Sequence, residues 1–189
     1  MNIANALTIL RLVLVPVFIV VFLNDTTFYR WIAYIVFAIA AITDKLDGYY
    51  ARSRNLVTDF GKLADSIADK ALIISALVLL SIHGYLWWWV TIVFIVRELG
   101  ITLMRMKMRK IKVMAAGQAG KIKMVAQSFG IAGLLIPWQS IAPIEGMIAQ
   151  GLIYFSYALI AIALYFAISS AVEYIKEAVR LSRANAHEE

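Results

Sequence analysis

Long apolar runs separated by short polar segments set the pattern of this sequence. Residues 71–96, 124–144 and 146–172 contain no Asp, Glu, Lys or Arg, and each is long enough to supply the roughly 20 apolar residues of a membrane-spanning helix. The first run divides at His83-Gly84-Tyr85, because a turn followed by three tryptophans is typical of a membrane interface. Two shorter runs, 12–23 and 31–43, reach spanning length by including polar residues. The pattern predicts six transmembrane helices, near residues 4–24, 31–52, 60–82, 86–108, 121–138 and 147–175.

The composition agrees with an all-α integral membrane protein. Hydrophobic residues make up 62% of the 189 positions and charged residues only 16%, against about a quarter charged in soluble domains. With no cysteine, the chain has no disulfide framework, thiolate metal site or cysteine nucleophile. We predict one six-helix catalytic domain over residues 1–180 and a polar C-terminal tail over 181–189. No cleaved signal peptide is expected, because Arg11 inside the first apolar run is the only basic residue near it.

The net charge of +6 is unevenly distributed along the chain. Basic residues gather between the second and third predicted helices, between the fourth and fifth, and after the last, whereas the alternate loops hold only Arg30. Because Lys and Arg are enriched in cytoplasmic loops, both termini are predicted on the cytoplasmic side. In so apolar a chain, the basic excess is expected to face anionic lipid headgroups or a phosphorylated substrate, and we predict no nucleic-acid partner.

Four aspartates fall inside the predicted hairpin of the second and third helices, at Asp44, Asp47, Asp65 and Asp69. Ionisable groups within a span are costly and usually mark a functional site. Spacings of three and four residues put each pair on one helix face. At 1.5 Å per residue, Asp44 and Asp69 both lie about 20 Å from the outer ends of their helices. Carboxylates at one depth without His or Cys predict a Mg²⁺ or Mn²⁺ site in a polar cavity that opens to the cytoplasm.

The neighbouring residues favour an enzyme over simpler interpretations. Gly48 and Gly61 remove side-chain bulk where a ligand can approach the backbone, and Arg52 offers a fork suited to phosphate. Solvated helix-end charges with glycines that serve packing would not explain two matched pairs at one depth. A divalent-cation carrier or channel also needs intramembrane carboxylates, but it would not need Arg52 or the two glycines.

The aspartate segment resembles the signature of the CDP-alcohol phosphotransferases. It reads Asp-Lys-Leu-Asp-Gly-Tyr-Tyr-Ala-Arg from Asp44, then, after eight residues, Gly61, Asp65 and Asp69, each four positions apart. The resemblance implies that the first three aspartates bind metal, shared between two ions in some members. It implies that Asp69 is the base that deprotonates the acceptor alcohol and also touches metal. The residues that it implies for the cytidine diphosphate are Gly48, Ala51, Arg52, Thr58 and Gly61.

Segments outside the signature resemble the bacterial phosphatidylglycerophosphate synthases, namely Asn2-Ile3 with Asn5, Thr8 and Arg11, Arg97-Glu98 with Arg105, and Gly120-Lys121-Ile122-Lys123. This resemblance implies phosphatidyl transfer from CDP-diacylglycerol to glycerol 3-phosphate, a homodimer, and the bacterial cytoplasmic membrane. Ala64, Ser66 and Met124 depart from the usual subfamily residues. Sister enzymes that use serine, inositol phosphate or phosphatidylglycerol as acceptor remain alternatives.

Two further groups of residues complete the predicted site. Arg97, Arg105, Lys121 and Lys123 are candidates for the acceptor phosphate, although positive-inside topology or lipid contact also explains basic residues there. Arg97 lies deep in its predicted helix, where pairing with Glu98 or with an aspartate is the structural alternative. Asn5, Thr8 and Arg11, at i, i+3 and i+6, form a polar stripe that could line the nucleotide site, or could belong to an ordinary interfacial N-terminus.

Overall fold

The structure, a computed structural model, describes residues 3–53, 59–108, 118–141 and 146–185. In these ranges the chain is helical, without strands, which confirms the all-α class. The helices are α1 (Ile3–Phe22), α2 (Thr27–Ser53), α3 (Asp59–Ile82), α4 (Trp88–Met108), α5 (Gln118–Leu135) and α6 (Met147–Asn185), with a single 3₁₀ turn at Trp138–Ser140.

The two C-terminal helices end at other positions than the sequence pattern predicts. α5 ends at Leu135 rather than at 138, because Ile136 precedes Pro137 and a residue before proline avoids the helical conformation. α6 continues to Asn185, past the predicted end at 175 and into the polar tail. Its last turns are rich in Glu, Lys, Arg, Ala and Leu, which all favour helix.

The helices form two groups that meet along the centre of the molecule. α1 packs against α2 and α3, α6 packs against α4 and α5, and contacts of α5 with α2 and α3 and of α4 with α3 join the groups. The core between them is built from large apolar side chains that are almost fully buried, including Phe18, Phe37, Leu80, Phe94 and Ile131. These contacts place α3 beside α2, α4 and α5, and these four helices carry most of the predicted site residues.

The exterior of α4 is apolar, although this helix carries charges. Ile92, Val96, Leu99 and Leu103 are 47–65% exposed, and their spacing puts them on one stripe of the helix. The adjacent Arg97 and Glu98 side chains are only 11% and 15% exposed. An apolar surface around buried charges is the reverse of the usual arrangement in soluble proteins and suits contact with lipid.

A test of length and composition identifies fewer membrane-spanning helices than the sequence pattern predicts. In the described ranges it accepts two segments, Thr27–Asp44 and Met147–Lys176, and it finds a shorter apolar stretch at Leu7–Phe22. The described ranges are helical, whereas a count of six spans remains a prediction.

Arg30, the lone basic residue of the predicted outer loops, closes the C-terminal end of α5. Its Nη2 donates to the carbonyl oxygens of Leu134 at 3.0 Å and Ile136 at 3.2 Å. Its Nη1 donates to the Tyr85 hydroxyl at 3.0 Å, and this hydroxyl donates to Asp25 at 2.9 Å. Burial raises the pKa of Tyr85, and the hydrogen bond to Asp25 raises it further, so the phenol stays protonated. Arg30 therefore caps a helix.

Gly133 allows α5 to lie close to α6. A Cβ atom at this position would lie 2.1 Å from Ser156 Oγ and 3.0 Å from Ser156 Cβ. The Ser156 hydroxyl donates to the Leu152 carbonyl at 2.8 Å, so this hydrogen bond would have to change before the clash could be relieved. The contact thus depends on the missing side chain, as is common between membrane helices.

We expect Gly133→Ala to destabilise the protein by about 1–3 kcal/mol, the usual cost of overpacking a close contact. The measurement is the melting temperature in detergent, which should fall. Gly151→Ala on α6 is the matched control, because a Cβ atom there meets nothing within 4 Å and alanine favours helix over glycine, so its melting temperature should not fall. Equal melting temperatures for the two variants would contradict the close packing of α5 on α6.

Candidate functional site

Two adjoining cavities share the side chain of Asp69 on α3. The first, the basic cavity, has a volume of about 200 Å³, lies among α3, α4, α5 and α6, and is lined by Arg97, Glu98, Lys121 and Lys123 as well as Asp69. The second, the apolar cavity, has a volume of about 280 Å³ and mostly apolar walls from α2, α3 and α5, with Arg11, Asp44 and Asp69 at one side. A single carboxylate thus faces both a charged chamber and an apolar one.

Asp44, a predicted metal ligand, is held by Arg11 of the first helix. Arg11 Nη1 lies 2.7 Å from Asp44 Oδ1, with the Arg11 side chain fully buried and that of Asp44 28% exposed. Thr8, one turn before Arg11, is also buried. Thr8 and Arg11 of the polar stripe therefore face the protein interior, with Arg11 beside Asp44, and a nucleotide site along this stripe stays a prediction.

Glu98 joins two of the predicted acceptor-binding residues. Arg97 Nη1 donates to Glu98 Oε1 at 3.0 Å, and Lys123 Nζ donates to the same oxygen. Arg97 Nη2 also donates to Ser170 Oγ at 2.8 Å, and its Nε donates to the Ala167 carbonyl at 3.3 Å. The structural alternative for Arg97, pairing with Glu98, is therefore present. Arg97 links α4 to α6 as well as lining the basic cavity.

Lys123 is buried, unlike a lysine whose only role is to set the orientation of a membrane helix. Lys123 is 6% exposed, whereas a lysine that serves only to orient a helix remains in water. Lys121, two residues earlier, lines the same cavity but is exposed. Lys70 adds a further cation to the cavity wall. The arrangement gives the basic cavity several cations beside the carboxylates of Asp69 and Glu98, which suits an anionic ligand.

Several predicted residues lie outside what the structure describes. Thr58 lies in an undescribed range. For others only the helical backbone is described, so their side chains add nothing to the geometry of the site. These are Asn5, Asp47, Gly48, Ala51, Arg52, Gly61, Asp65 and Arg105. Of the predicted site residues, the structure brings together Asp44, Asp69, Arg97, Lys121 and Lys123 around the two cavities.

The donor set fits a hard divalent cation. Among the residues with described side chains, no three His, Cys, Asp or Glu come together, but Asp44 and Asp69 face the same cavity. The backbones of α2 and α3 are helical through positions 47 and 65, each within about one turn of a described carboxylate and on its face of the helix. A ligand set made of carboxylate oxygens suits Mg²⁺ or Mn²⁺ better than zinc.

The sequence pattern does not predict all the contacts of Glu98, or the presence of Gln127, in the basic cavity. For Glu98 it predicts only pairing with Arg97, whereas the contact with Lys123 depends on how α4 packs against α5. Gln127 is not among the predicted site residues, yet it is 1% exposed and lines the cavity. The available signal is its spacing, because Gln127 follows Lys123 by four residues and so shares its face of α5.

Comparison with known proteins gives the family. The family model of the CDP-alcohol phosphatidyltransferases matches residues 1–171. A probable phosphatidylglycerophosphate synthase of Mycobacterium tuberculosis is 36% identical over 182 residues, which cover 95% of this chain and 82% of the relative. The CDP-diacylglycerol–glycerol-3-phosphate 3-phosphatidyltransferase of Bacillus subtilis is 35% identical over 93% of this chain and 94% of the relative. The Escherichia coli enzyme of that name is 39% identical over 140 residues, which cover 71% of this chain and 76% of the relative.

The extent of the match and the geometry of the site both support membership of this family. The family model covers all the described elements except the end of α6, and the relatives are matched over most of their own lengths. The four aspartates, and the residues that line the two cavities apart from Tyr174, fall within the matched region. The chain is a membrane enzyme that belongs to the CDP-alcohol phosphatidyltransferase family.

Proposed function

We propose that this protein transfers the phosphatidyl group of CDP-diacylglycerol to glycerol 3-phosphate, which yields phosphatidylglycerophosphate and CMP. The names of the relatives supply the reaction. The observation that carries the proposal is the position of Asp69 between a basic cavity and an apolar cavity. A lipid donor and an anionic acceptor must meet at the reacting phosphorus, and two cavities of opposite character that share one carboxylate provide for that meeting.

The basic cavity suits the acceptor. Glycerol 3-phosphate carries a phosphate at one end and a hydroxyl at the other, and cations favour the phosphate. Lys123, Arg97 and Lys121 would bind it, as their sequence positions suggest, with Arg105 as a further candidate. Glu98 accepts hydrogen bonds from Arg97 and Lys123, so it would hold both side chains in place between turnovers.

The apolar cavity suits the lipid part of the donor. Phe37, Leu72 and Phe129 are among its walls, and such surfaces favour glycerol ester and acyl groups over water. The nucleotide end would then extend toward the segment that carries Gly48, Ala51, Arg52, Thr58 and Gly61. Asn5 and Thr8 complete this proposed CDP-diacylglycerol site.

Members of this family use divalent metal ions, and we propose Mg²⁺ or Mn²⁺ bound by Asp44, Asp47, Asp65 and Asp69. When bound, the metal supplies positive charge that polarises the donor pyrophosphate and stabilises the leaving CMP. Arg11, which contacts Asp44, fixes one of these carboxylates before the donor arrives. The described part of the site contributes two of the four oxygen-bearing side chains.

Asp69 is the proposed general base. It would take the proton from the terminal hydroxyl of glycerol 3-phosphate as that oxygen attacks the phosphorus that bears diacylglycerol. The new phosphorus–oxygen bond forms while the bond to CMP breaks, and CMP leaves with the electron pair. Because the acceptor oxygen attacks directly, no covalent intermediate with a protein side chain is needed.

We further propose six membrane spans, α1 to α6, with both termini on the cytoplasmic side of a bacterial cytoplasmic membrane. The apolar exteriors of helices that carry buried charges support this count. On α1, Val13, Val17 and Val20 are 41–65% exposed, whereas Arg11 is fully buried. The cavities would open toward the cytoplasm, where the basic loops lie. A homodimer remains part of the proposal on the strength of the family resemblance.

An acceptor screen tests the proposed reaction. Purified protein with CDP-diacylglycerol and Mg²⁺ is given glycerol 3-phosphate, serine, inositol phosphate or phosphatidylglycerol, and CMP release is measured with each. We expect glycerol 3-phosphate to be used at least about 100-fold better than the others, because a polar recognition site rejects poorly matched acceptors strongly. A preference for another acceptor would assign a sister activity. Uptake of Mg²⁺ into liposomes with no CMP release would indicate a cation transporter instead.

A further inference from the structure

Gln127 is a buried amide that the proposed reaction leaves without a role. It is 1% exposed and lines the basic cavity, and its Nε2 finds no hydrogen-bond acceptor among the residues that the structure describes. Buried polar groups are nearly always hydrogen-bonded, since an unpaired buried donor is costly. The two N–H groups of this amide therefore lack an acceptor at the wall of the cavity, and a ligand bound there would supply one.

Gln127 lies near two charged groups of the basic cavity, Lys123 and Asp69. Gln127 lies four residues after Lys123, so the two share one face of α5 and are about 6 Å apart along the helix axis. Asp69 of α3 lines the same cavity. A cation, a neutral amide donor and a carboxylate base thus surround one space of about 200 Å³.

Glycerol 3-phosphate carries three groups that match the cation, the amide donor and the carboxylate of the cavity. Its phosphate suits the cations, its terminal hydroxyl reacts and suits the base, and its middle hydroxyl lies between them. We infer that Gln127 is a specificity-determining residue whose amide donates a hydrogen bond to the middle hydroxyl oxygen of the acceptor. The inference rests on the proposed function and names the group by which the site recognises a polyol phosphate.

The wild-type enzyme tests this without any substitution. Propane-1,3-diol phosphate keeps the phosphate and the reactive hydroxyl of glycerol 3-phosphate but lacks the middle hydroxyl. We expect kcat/KM for this analogue to be about 10- to 100-fold lower, because a site that hydrogen-bonds a substrate hydroxyl rejects the analogue without it. Equal kcat/KM values would overturn the inference. Absence of transfer to both acceptors would instead overturn the proposed function.

Gln127→Met then assigns the discrimination to this side chain, because Met keeps the length but has no N–H donor. We expect kcat/KM for glycerol 3-phosphate to fall about 10- to 100-fold and that for propane-1,3-diol phosphate to change less than threefold, so that the preference largely disappears. The exposed Gln150 on α6 supplies the matched control, since Gln150→Met should keep the wild-type preference. Equal losses for both acceptors would show a structural role and overturn the inference, and so would an unchanged preference.

Discussion

Asp69→Asn is expected to abolish phosphatidyl transfer while the protein stays folded in detergent. The substitution keeps the size of the side chain but removes its capacity to accept a proton. General base catalysis contributes about 10²–10⁴ to a rate, and loss of a metal ligand adds to this, so CMP release should fall by at least about 10³. Asp69 faces both cavities, and for that reason a single substitution affects both substrates.

Asp25→Asn is the control for this prediction. Asp25 lies at the opposite end of the bundle, where it accepts a hydrogen bond from Tyr85, and neither cavity includes it. This variant should retain wild-type activity even if its melting temperature changes. The two measurements are the initial rate of CMP release and the melting temperature of each purified variant. Full activity in Asp69→Asn would remove Asp69 from the role of base.

The helices could be predicted because their signal is local. The apolar runs form helices, the run 71–96 divides at the turn of residues 83–87, and the polar residues 24–26 separate α1 from α2. The end of α5 is not predicted because apolar residues continue past Leu135 through Pro137 and Trp138, and hydropathy does not detect a change of backbone conformation. α6 is predicted too short for the opposite reason, since its polar turns form helix without being apolar.

The partners within the site could not be predicted in the same way. The spacing of Asp44 and Asp47 indicates a common helix face, but it does not show that Arg11 of α1 reaches Asp44. The contact of Glu98 with Lys123 likewise requires α4 and α5 to be neighbours. Residue types and spacing therefore identify the chemical groups of this site, and three-dimensional packing determines which of them meet.

The predicted metal site has two of its four carboxylates in the described part of the chain. The side chains of Asp47 and Asp65 lie outside the described part of the chain, so only Asp44 and Asp69 have a described geometry. These two lie on different helices, α2 and α3, and line the same cavity. A test of the remaining geometry can therefore begin from the described partner of Asp44, which is Arg11.

Arg11→Met is expected to lower both stability and activity. Arg11 is fully buried and lies 2.7 Å from Asp44, and removal of one member of a buried ion pair costs about 3–5 kcal/mol. Because the Asp44 side chain is 28% exposed and partly reaches solvent, we expect a loss near the lower end, about 3 kcal/mol. Transfer should fall about 100-fold or more, as expected when a catalytic group is displaced. Arg180→Met, at an exposed position on α6, is the matched control.

A double-mutant cycle separates the ion pair from the metal site. In Arg11→Met with Asp44→Asn the carboxylate that loses Arg11 is itself neutralised, so the melting temperature should exceed that of Arg11→Met alone, although transfer should stay low because a predicted metal ligand is missing. The stability losses of the single variants should thus fail to add, as is usual for residues in contact. Additive losses would mean that Arg11 does not stabilise Asp44. Recovery of transfer in the double variant would show that Asp44 is dispensable for metal binding.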